Sequence, residues 1–468
     1  MISEVIRVVG SNILILISNI LIGFVIPKLM GVQEYGYYKL FMLYATYAQL
    51  LHLGFVDGIL LKFGGKAKDD VNRQEIRGYS KFIFFLELII GVLFILISLF
   101  IKSYVYKQIF IFIGLYTMIF NQVTYYQFLA QSFMDFNLIA VINGLIAFLN
   151  ILSILFIITC IKIHLFSDVT FNQYILIYLS IYVLILGIYI KYYGNFFWGI
   201  HTRFKNLKDK IINIFKIGIP VTISYQVAAL IFNVDNQYVS LFYSTKIFGI
   251  YSFAYSLISV ATSVINSVST VLFPHLNRKG IDEAIKEYEK SLTLLETIIF
   301  LILFIYFPMK IFVKAFLPEY IKSLTYLRVL FPGVGITTCI SLLVFNYFKV
   351  AKMGKIYFKL SIFTLLFSIV FTWLIHNIFA GPVAIAYASL ISLFFWYLLT
   401  NGYLVIKYKI KWRKNTLYIL LMFVIFEITT SVDNLCLSFF AYLMLYILII
   451  VLVFGKNYLS IIKSICRK

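Results

Sequence analysis

Long apolar runs separated by short basic segments dominate the sequence. A helix needs about 20 apolar residues to cross the roughly 30 Å hydrocarbon core of a bilayer. Fourteen such runs occur, which predicts an all-α integral membrane protein with about fourteen transmembrane helices. The predicted spans are 8–30, 38–61, 82–101, 108–131, 138–160, 173–193, 214–241, 247–275, 291–313, 326–348, 356–376, 383–406, 415–431 and 435–455. The thirteenth is short and contains Glu427, so it fits the pattern least well.

The basic residues predict the orientation of these spans. Cytoplasmic loops of membrane proteins are enriched in Lys and Arg, and an N-terminus in the cytoplasm places about three quarters of the 40 Lys and Arg on that side. We therefore expect both termini in the cytoplasm. Composition excludes a soluble enzyme, because hydrophobic residues make up 62% and charged residues only 13%. The net charge of +21 is then a property of the cytoplasmic loops and indicates no nucleic-acid partner.

Two segments about 210 residues apart resemble each other. Tyr35-Gly36-Tyr37-Tyr38 leads into the second span, and Phe248-Gly249-Ile250-Tyr251 leads into the eighth. Six spans lie in each repeat, so both copies have the same orientation, as in many transporters. We predict a six-helix bundle in 1–205, a second in 206–410, and two additional helices with a tail in 411–468. Gly36 and Gly249 are interpreted as hinges.

Five acidic residues fall within predicted spans, where an ionisable side chain is a functional candidate by default. They are Asp57, Glu87, Asp235, Glu296 and Glu427. Glu87 and Glu296 lie about one turn from cytoplasmic ends, so we expect their carboxylates to reach the aqueous interface. Asp57 lies five residues before Lys62, which leaves open a local ion pair or a role in transport.

Asp235 lies in a polar segment of the seventh span, within Asn233-Val234-Asp235-Asn236-Gln237 and two turns after Gln226. Four adjacent polar side chains that faced lipid would be prohibitively costly. The segment therefore predicts one of two arrangements. In the first, Asp235, Gln226, Asn233 and Asn236 line a wet cavity that binds substrate or a coupling ion. In the second, they form a polar clamp between helices.

Amide and tyrosine side chains form a second polar set on the first and fourth spans. Asn12 and Asn19, seven residues apart, share one helical face. The fourth span contributes Gln122, Tyr125 and Gln127. Such side chains suit the hydroxyls of a sugar, and they equally suit hydrogen bonding between membrane helices.

Cationic side chains are predicted at the mouths of a central cavity, since none lies at the middle of a span. The candidates for holding a diphosphate at a gate are Lys28, Lys39, Lys62, Lys216 and Arg328. The alternative for each is an ordinary anchor at the membrane interface. No nucleotide-binding, hydrolase or metal-binding motif occurs, so the sequence predicts no enzyme, no metal site and no cofactor.

Several segments resemble the polysaccharide-transport flippases of the multidrug/oligosaccharidyl-lipid/polysaccharide exporter superfamily, which translocate O-antigen and capsule units. These segments are Gly10-Ser11-Asn12, Pro27-Lys28-Leu29-Met30-Gly31, Leu53-Gly54-Phe55-Val56-Asp57-Gly58 and Lys216-Ile217-Gly218-Ile219-Pro220. The resemblance implies two parallel six-helix bundles, arranged as a V around a central cavity and working by alternating access. The last two helices are an addition found in some members.

The resemblance also implies a substrate, an undecaprenyl-diphosphate-linked oligosaccharide that moves across the bacterial cytoplasmic membrane. Membrane lipids and other surface-polysaccharide assembly proteins are the expected partners. A cation- or proton-coupled multidrug antiporter of the same superfamily is the alternative, with Asp235 as its coupling acid. A membrane polysaccharide polymerase is less favoured, because the longest predicted external segment, 314–325, offers only Glu319 as an acid.

Overall fold

The computed structural model describes residues 2–165, 167–260, 262, 285–410, 413–455 and 458. Within these ranges the chain consists of helices joined by short loops and contains no β-strand. The helices are α1 (Ile2–Ala48), α2 (Phe55–Phe63), α3 (Arg73–Ser98), α4 (Tyr104–Ser132), α5 (Phe136–Lys162), α6 (Phe171–Tyr193), α7 (Phe204–Phe242), α8 (245–260), α9 (Tyr288–Phe316), α10 (Ser323–Val350), α11 (Gly354–Ile378), α12 (Pro382–Tyr408), α13 (Arg413–Thr430) and α14 (Leu435–Phe454). The predicted all-α membrane class is confirmed.

The predicted number of fourteen spans is not confirmed. Ten helices in the described ranges are long and apolar enough to cross a bilayer. The number is eleven if α7, whose segments Phe204–Ile223 and Gln226–Phe242 are bent by 48°, counts as one span. The predicted eighth span, 247–275, extends outside the described residues. The predicted thirteenth corresponds to α13, which has only 18 residues and is not among the ten.

The length of α1 further explains why the number of membrane-spanning helices is smaller than the number of predicted spans. The apolar stretch Gly10–His52, which comprises most of α1 and the short 3₁₀ turn after it, has 43 residues and would extend about 65 Å at 1.5 Å per residue, twice the thickness of a bilayer core. Gly31 interrupts the helix with φ 71° and ψ 167°, a conformation open to glycine because it lacks a Cβ. The interruption follows directly on the predicted end of the first span, so α1 contains the first predicted span and the beginning of the second, 38–61, which continues into α2.

Contacts divide the chain into two compact units. The first comprises Met1–Gln226 and Ser244–Gly249, and the second comprises Val227–Tyr243 and Ile250–Lys468. The chain passes from one to the other within α7, whereas α13 and α14 belong to the second unit. The division into 1–205, 206–410 and 411–468 rests on the sequence repeat and stays a prediction.

Glycines bring α2 and the first half of α7 into backbone contact within the first unit. A Cβ on Gly218 would lie 1.8 Å from the carbonyl oxygen of Gly54, and a Cβ on Gly58 would lie 2.3 Å from that of Ile214. A side chain at these positions would collide with backbone, so small residues allow the crossing, as in many membrane helix pairs. The crossing places Thr222 of α7 beside Asp57 of α2.

We expect Gly218→Ala to lower the thermal stability of the detergent-purified protein, because the added methyl must push two backbones apart. Overpacking of this kind costs about 1–3 kcal/mol. Gly144→Ala in α5 is the matched control, since a Cβ there meets nothing within 4 Å. It should be neutral or slightly stabilising, as alanine favours helix over glycine. Equal melting temperatures for the two variants would show that the crossing tolerates a methyl group.

Candidate functional site

Asp235 is buried in the second unit as the acceptor of a hydrogen-bond cluster, with only 1% of its surface exposed. The Tyr251 hydroxyl donates to Oδ2 at 2.6 Å, and the Tyr255 hydroxyl donates to the same oxygen. The backbone N–H of Asn236 donates to Oδ1 at 2.8 Å, and the Ser389 hydroxyl is a further partner. Helices α7, α8 and α12 therefore meet at this carboxylate.

These hydrogen bonds between helices are the ones that the polar clamp predicts, while the role of Asp235 stays a prediction. The amide side chains predicted to act with Asp235 differ in burial and in hydrogen-bond partners. Asn236 is buried, whereas Asn233 is half-buried and donates its Nδ2 to the Ala229 carbonyl of its own helix at 2.8 Å. Gln226 is half-buried and belongs to the first unit. The four residues predicted to act together thus have different surroundings.

Asp57 is buried in the first turn of α2, in the first unit. The Thr222 hydroxyl donates to Oδ2 at 2.5 Å, so the carboxylate joins α2 to α7. The start of a helix favours a negative charge because the backbone N–H groups there point toward it. Nearby, the imidazole of His52 accepts the Gly54 N–H at its Nδ1 at 3.1 Å. Asp57 therefore holds the glycine crossing together.

Glu87 and Glu296 overturn the expectation that they reach the aqueous interface, since both are 0% exposed. Oε2 of Glu87 accepts Nδ2 of Asn121 at 2.8 Å, while its Oε1 has no hydrogen-bond partner among the described residues. Glu296 accepts the Tyr397 hydroxyl at 2.9 Å and Nδ2 of Asn415 at 2.8 Å. The expectation is wrong for a geometric reason. Each carboxylate faces neighbouring helices instead, Glu87 toward α4 and Glu296 toward α12 and α13.

One sequence signal relates these two acids. Glu87 and Glu296 lie 209 residues apart, close to the separation of the repeated glycine segments. Each belongs to the third predicted span of its half. The structure places one in each compact unit, with an asparagine amide as partner in both cases. Matching positions in the two repeats would have identified them as a pair before their partners were known.

The polar residues of α4 lie largely inside the first unit. Tyr125 is fully buried, and its hydroxyl forms a hydrogen bond with that of Ser80 at 2.8 Å. Gln122 is also buried, whereas Gln127 is half-buried. The hydroxyl of Tyr125 is thus engaged within the protein, and Gln122 remains the α4 candidate with an unengaged donor, because its amide nitrogen has no partner among the described residues.

The asparagines of α1 lie on its exposed side. Asn12 and Asn19 are both exposed, consistent with the shared face that their spacing predicts. Oδ1 of Asn12 accepts Nδ2 of Asn143 from α5 at 3.1 Å. This contact ties the two helices by an amide pair, while Asn19 remains accessible.

Two of the five candidate cations are paired with carboxylates. Nζ of Lys62 lies 2.9 Å from Oε1 of Glu75 and donates to the Tyr79 hydroxyl at 2.7 Å. Nε of Arg328 lies 2.8 Å from Oε1 of Glu427. The two groups form an ion pair, but the direction of the N–H does not allow a hydrogen bond from Nε. Lys62 therefore pairs with Glu75 rather than with Asp57. Lys62 shares this carboxylate with Lys210, whose Nζ lies 2.7 Å from Oε2 of Glu75. The ion pair with Arg328 stabilises the charge of Glu427 in the apolar helix α13.

Lys39 is the most distinctive of the other three candidates. It is half-buried in the first unit, and its Nζ lies 5.3 Å from the ring centroid of Tyr35 and 5.8 Å from that of Tyr38. Such contacts stabilise a cation without cancelling its charge, and no carboxylate of the described residues pairs with it. Lys216 is exposed and likewise forms no ion pair within the described chain, and Lys28 is exposed.

The repeated glycines meet at a close helix contact in the first unit. A Cβ on Gly36 would lie 2.3 Å from the carbonyl oxygen of Thr245, and a Cβ on Gly249 would lie 3.1 Å from the Cα of Gly36. Both glycines are helical, and the break in α1 lies at Gly31 instead. A role for Gly36 and Gly249 as hinges stays a prediction.

The fold is similar to that of membrane transporters of known structure. The lipid II flippase MurJ, in an inward closed conformation, superposes with a TM-score of 0.70 at 15% identity, covering 98% of this chain and 100% of that one. An inward-facing MATE family multidrug resistance transporter superposes at 0.57, with 13% identity over 85% of this chain and 96% of that one. The MATE transporter VcmN of Vibrio cholerae gives 0.53, with 11% identity over 86% and 96%.

Sequence comparison identifies the family. No curated protein sequence matches this chain. Residues 3–279, more than half of its length, match the family described as polysaccharide biosynthesis protein. The resemblance to polysaccharide flippases is thereby confirmed at the level of family and of fold. The chain belongs to the polysaccharide biosynthesis protein family and is a multi-pass membrane protein with the fold of the MurJ and MATE transporters.

Proposed function

We propose that this protein is a flippase that translocates an undecaprenyl-diphosphate-linked oligosaccharide, such as an O-antigen or capsule unit, by alternating access. Membership of the polysaccharide biosynthesis family over residues 3–279 carries the proposal. The fold of a lipid II flippase across nearly the whole chain supports it. The reaction is transport rather than catalysis, so the residues that matter are those that hold the head group.

The charge of Lys39 supports a phosphate-bearing substrate. A diphosphate needs a cation whose charge is not already cancelled by a carboxylate. Lys39 meets this condition, and its tyrosine neighbours hold the ammonium group in place. Lys216 and Lys28 would add positive charge, while Asn12, Asn19 and Gln127 supply amides suited to sugar hydroxyls. Lys62 and Arg328 serve as structural ion pairs in this scheme.

A proton- or cation-coupled multidrug antiporter is the second candidate, and the buried acids favour it. Asp57, Asp235, Glu87 and Glu296 are all buried carboxylates in predicted spans, and such groups often carry coupling ions. The fold comparison favours the flippase instead. Likeness to MurJ extends over 98% of this chain with the higher TM-score, against 85% for the MATE structure.

The proposed site of action is the bacterial cytoplasmic membrane, with both termini in the cytoplasm. The threefold excess of Lys and Arg on the side assigned to the cytoplasm supports this orientation. The substrate would be loaded from the inner leaflet and released to the outer one. Proteins that extend or export the surface polysaccharide are the proposed partners there.

Reconstitution into vesicles tests the proposal directly. Purified protein would be placed in vesicles with a fluorescent undecaprenyl-diphosphate-linked oligosaccharide, and a membrane-impermeant reagent that destroys the label would be added outside. We expect the protected fraction to fall from about half toward zero as labelled lipid crosses, while protein-free vesicles retain it. Unchanged protection, together with proton-driven accumulation of a cationic drug in the same vesicles, would assign the antiporter function instead.

A further inference from the structure

A cavity of about 530 Å³ lies wholly within the first unit. It is bounded by α3, α4, α6 and the connection 194–204 that leads into α7. The volume falls within the range of pockets that hold one small ligand. The residues that give it chemical character are Lys81, Phe84, Phe85, Gln122, Trp198 and His201. None of the candidate cations for the diphosphate lines it.

One hydrogen-bond donor in this cavity, the Lys81 ammonium group, lacks an anionic partner. Nζ of Lys81 donates to the Gly199 carbonyl at 3.3 Å and lies 3.1 Å from Nδ1 of His201, and no carboxylate of the described residues pairs with it. Gln122 is only 3% exposed, yet its amide nitrogen has no hydrogen-bond partner among those residues. Because that nitrogen is itself covered by protein, the Lys81 ammonium group is the donor that an anionic ligand in the cavity can reach.

The walls of the cavity are apolar and reach the protein surface. Phe84, Phe85 and Trp198 are 37%, 50% and 63% exposed, and the aromatic rings of Phe84 and Phe85 contact each other. Tryptophan is enriched where membrane proteins meet the lipid head groups. The positively charged residues Lys205 and Lys208 follow at the start of α7 and are exposed. The opening therefore combines an apolar wall with positive charge.

We propose that this cavity binds an anionic phospholipid of the surrounding membrane. The phosphate would accept a hydrogen bond from Lys81, and an acyl chain would lie along Phe84, Phe85 and Trp198. The apolar wall favours a lipid over free phosphate, and the unpaired ammonium group favours an anionic lipid over a neutral one. The site contains none of the cations proposed for the diphosphate, and a bound lipid would fix α3 to the connection between α6 and α7.

Native mass spectrometry of the full-length protein in mixed micelles tests the site. The micelles would contain phosphatidylglycerol, phosphatidylcholine or undecaprenyl phosphate, and inorganic phosphate would be the soluble control. We expect phosphatidylglycerol to be retained at about tenfold lower concentration than phosphatidylcholine. Lys81→Gln should remove most of this preference. Lys81→Gln keeps a donor for the Gly199 carbonyl, so its thermal stability without lipid should match that of wild type.

Lys208→Gln is the matched control, because it removes an exposed charge near the same surface without touching the cavity. It should retain the phosphatidylglycerol preference. An equal loss in Lys208→Gln and Lys81→Gln would overturn the proposal, since diffuse surface charge would then explain the binding. Stronger retention of undecaprenyl phosphate, or equal retention of the neutral phospholipid, would also overturn it.

Discussion

Lys39→Gln is expected to reduce the rate of flipping of the labelled lipid-linked oligosaccharide by about tenfold or more in reconstituted vesicles. The variant removes a cation that is held over Tyr35 and Tyr38 and has no carboxylate partner in the described chain. Hydrogen bonds to charged groups contribute about 1.5–3 kcal/mol, and each 1.4 kcal/mol corresponds to a factor of ten. A diphosphate that lost such a contact would bind correspondingly less tightly.

Two further variants test whether the loss of flipping comes from the charge of Lys39 itself. Lys39→Arg keeps the charge and should retain a substantial part of the flipping rate. Lys62→Gln removes a charge of the same sign that already pairs with Glu75, so its effect should fall on stability more than on flipping. If Lys39→Gln flips lipid as fast as wild type, the diphosphate does not depend on this side chain.

Asp235→Ala is expected to destabilise the protein by about 2–6 kcal/mol. The substitution removes the shared acceptor of Tyr251 and Tyr255, and each buried donor left without a partner costs about 1–3 kcal/mol. Thermal or denaturant unfolding in detergent would measure the loss. Flipping should fall with it, because α7, α8 and α12 lose their common contact. Asp235→Ala should still insert into the membrane.

Asp235→Asn separates the clamp from ion coupling. Its remaining carbonyl oxygen can still accept a tyrosine hydroxyl, so it should lose less than half as much stability as Asp235→Ala. A clamp alone predicts that transport follows stability in both variants. A stable Asp235→Asn protein that no longer transports would instead identify Asp235 as a coupling acid.

The sequence predicted the helical membrane fold because apolar runs of sufficient length have few other stable outcomes. Helix breaks were harder to predict. Gly31 ends the first predicted span correctly, yet the sequence did not reveal that Glu87 faces Asn121 of α4. A helix that is apolar on every side gives little periodic signal of which face is buried.

The partners of charged groups were the least predictable part of the site. The carboxylates that pair with Lys62 and Arg328 were not predicted, because Glu75 and Glu427 lie 13 and 99 residues away in the chain; the sequence offered Asp57 as the partner of Lys62. Glu296 similarly depends on Tyr397 and Asn415, from two later helices. Contacts between residues so far apart in the chain cannot be predicted from the sequence around each residue. Asp235 was identifiable because its polar neighbours are adjacent to it.

The attachment of the last two helices limits how this chain can be shortened. Asn415 of α13 donates to Glu296, and Tyr442 and Tyr446 of α14 donate to the α9 carbonyls of Phe300 and Thr297 at 2.7 and 2.9 Å. A truncation after α12 would leave the Glu296 carboxylate facing lipid with one of its donors missing, at a cost of several kcal/mol. A twelve-helix fragment would therefore fail for reasons of folding. Its inactivity could not reveal what α13 and α14 contribute to transport.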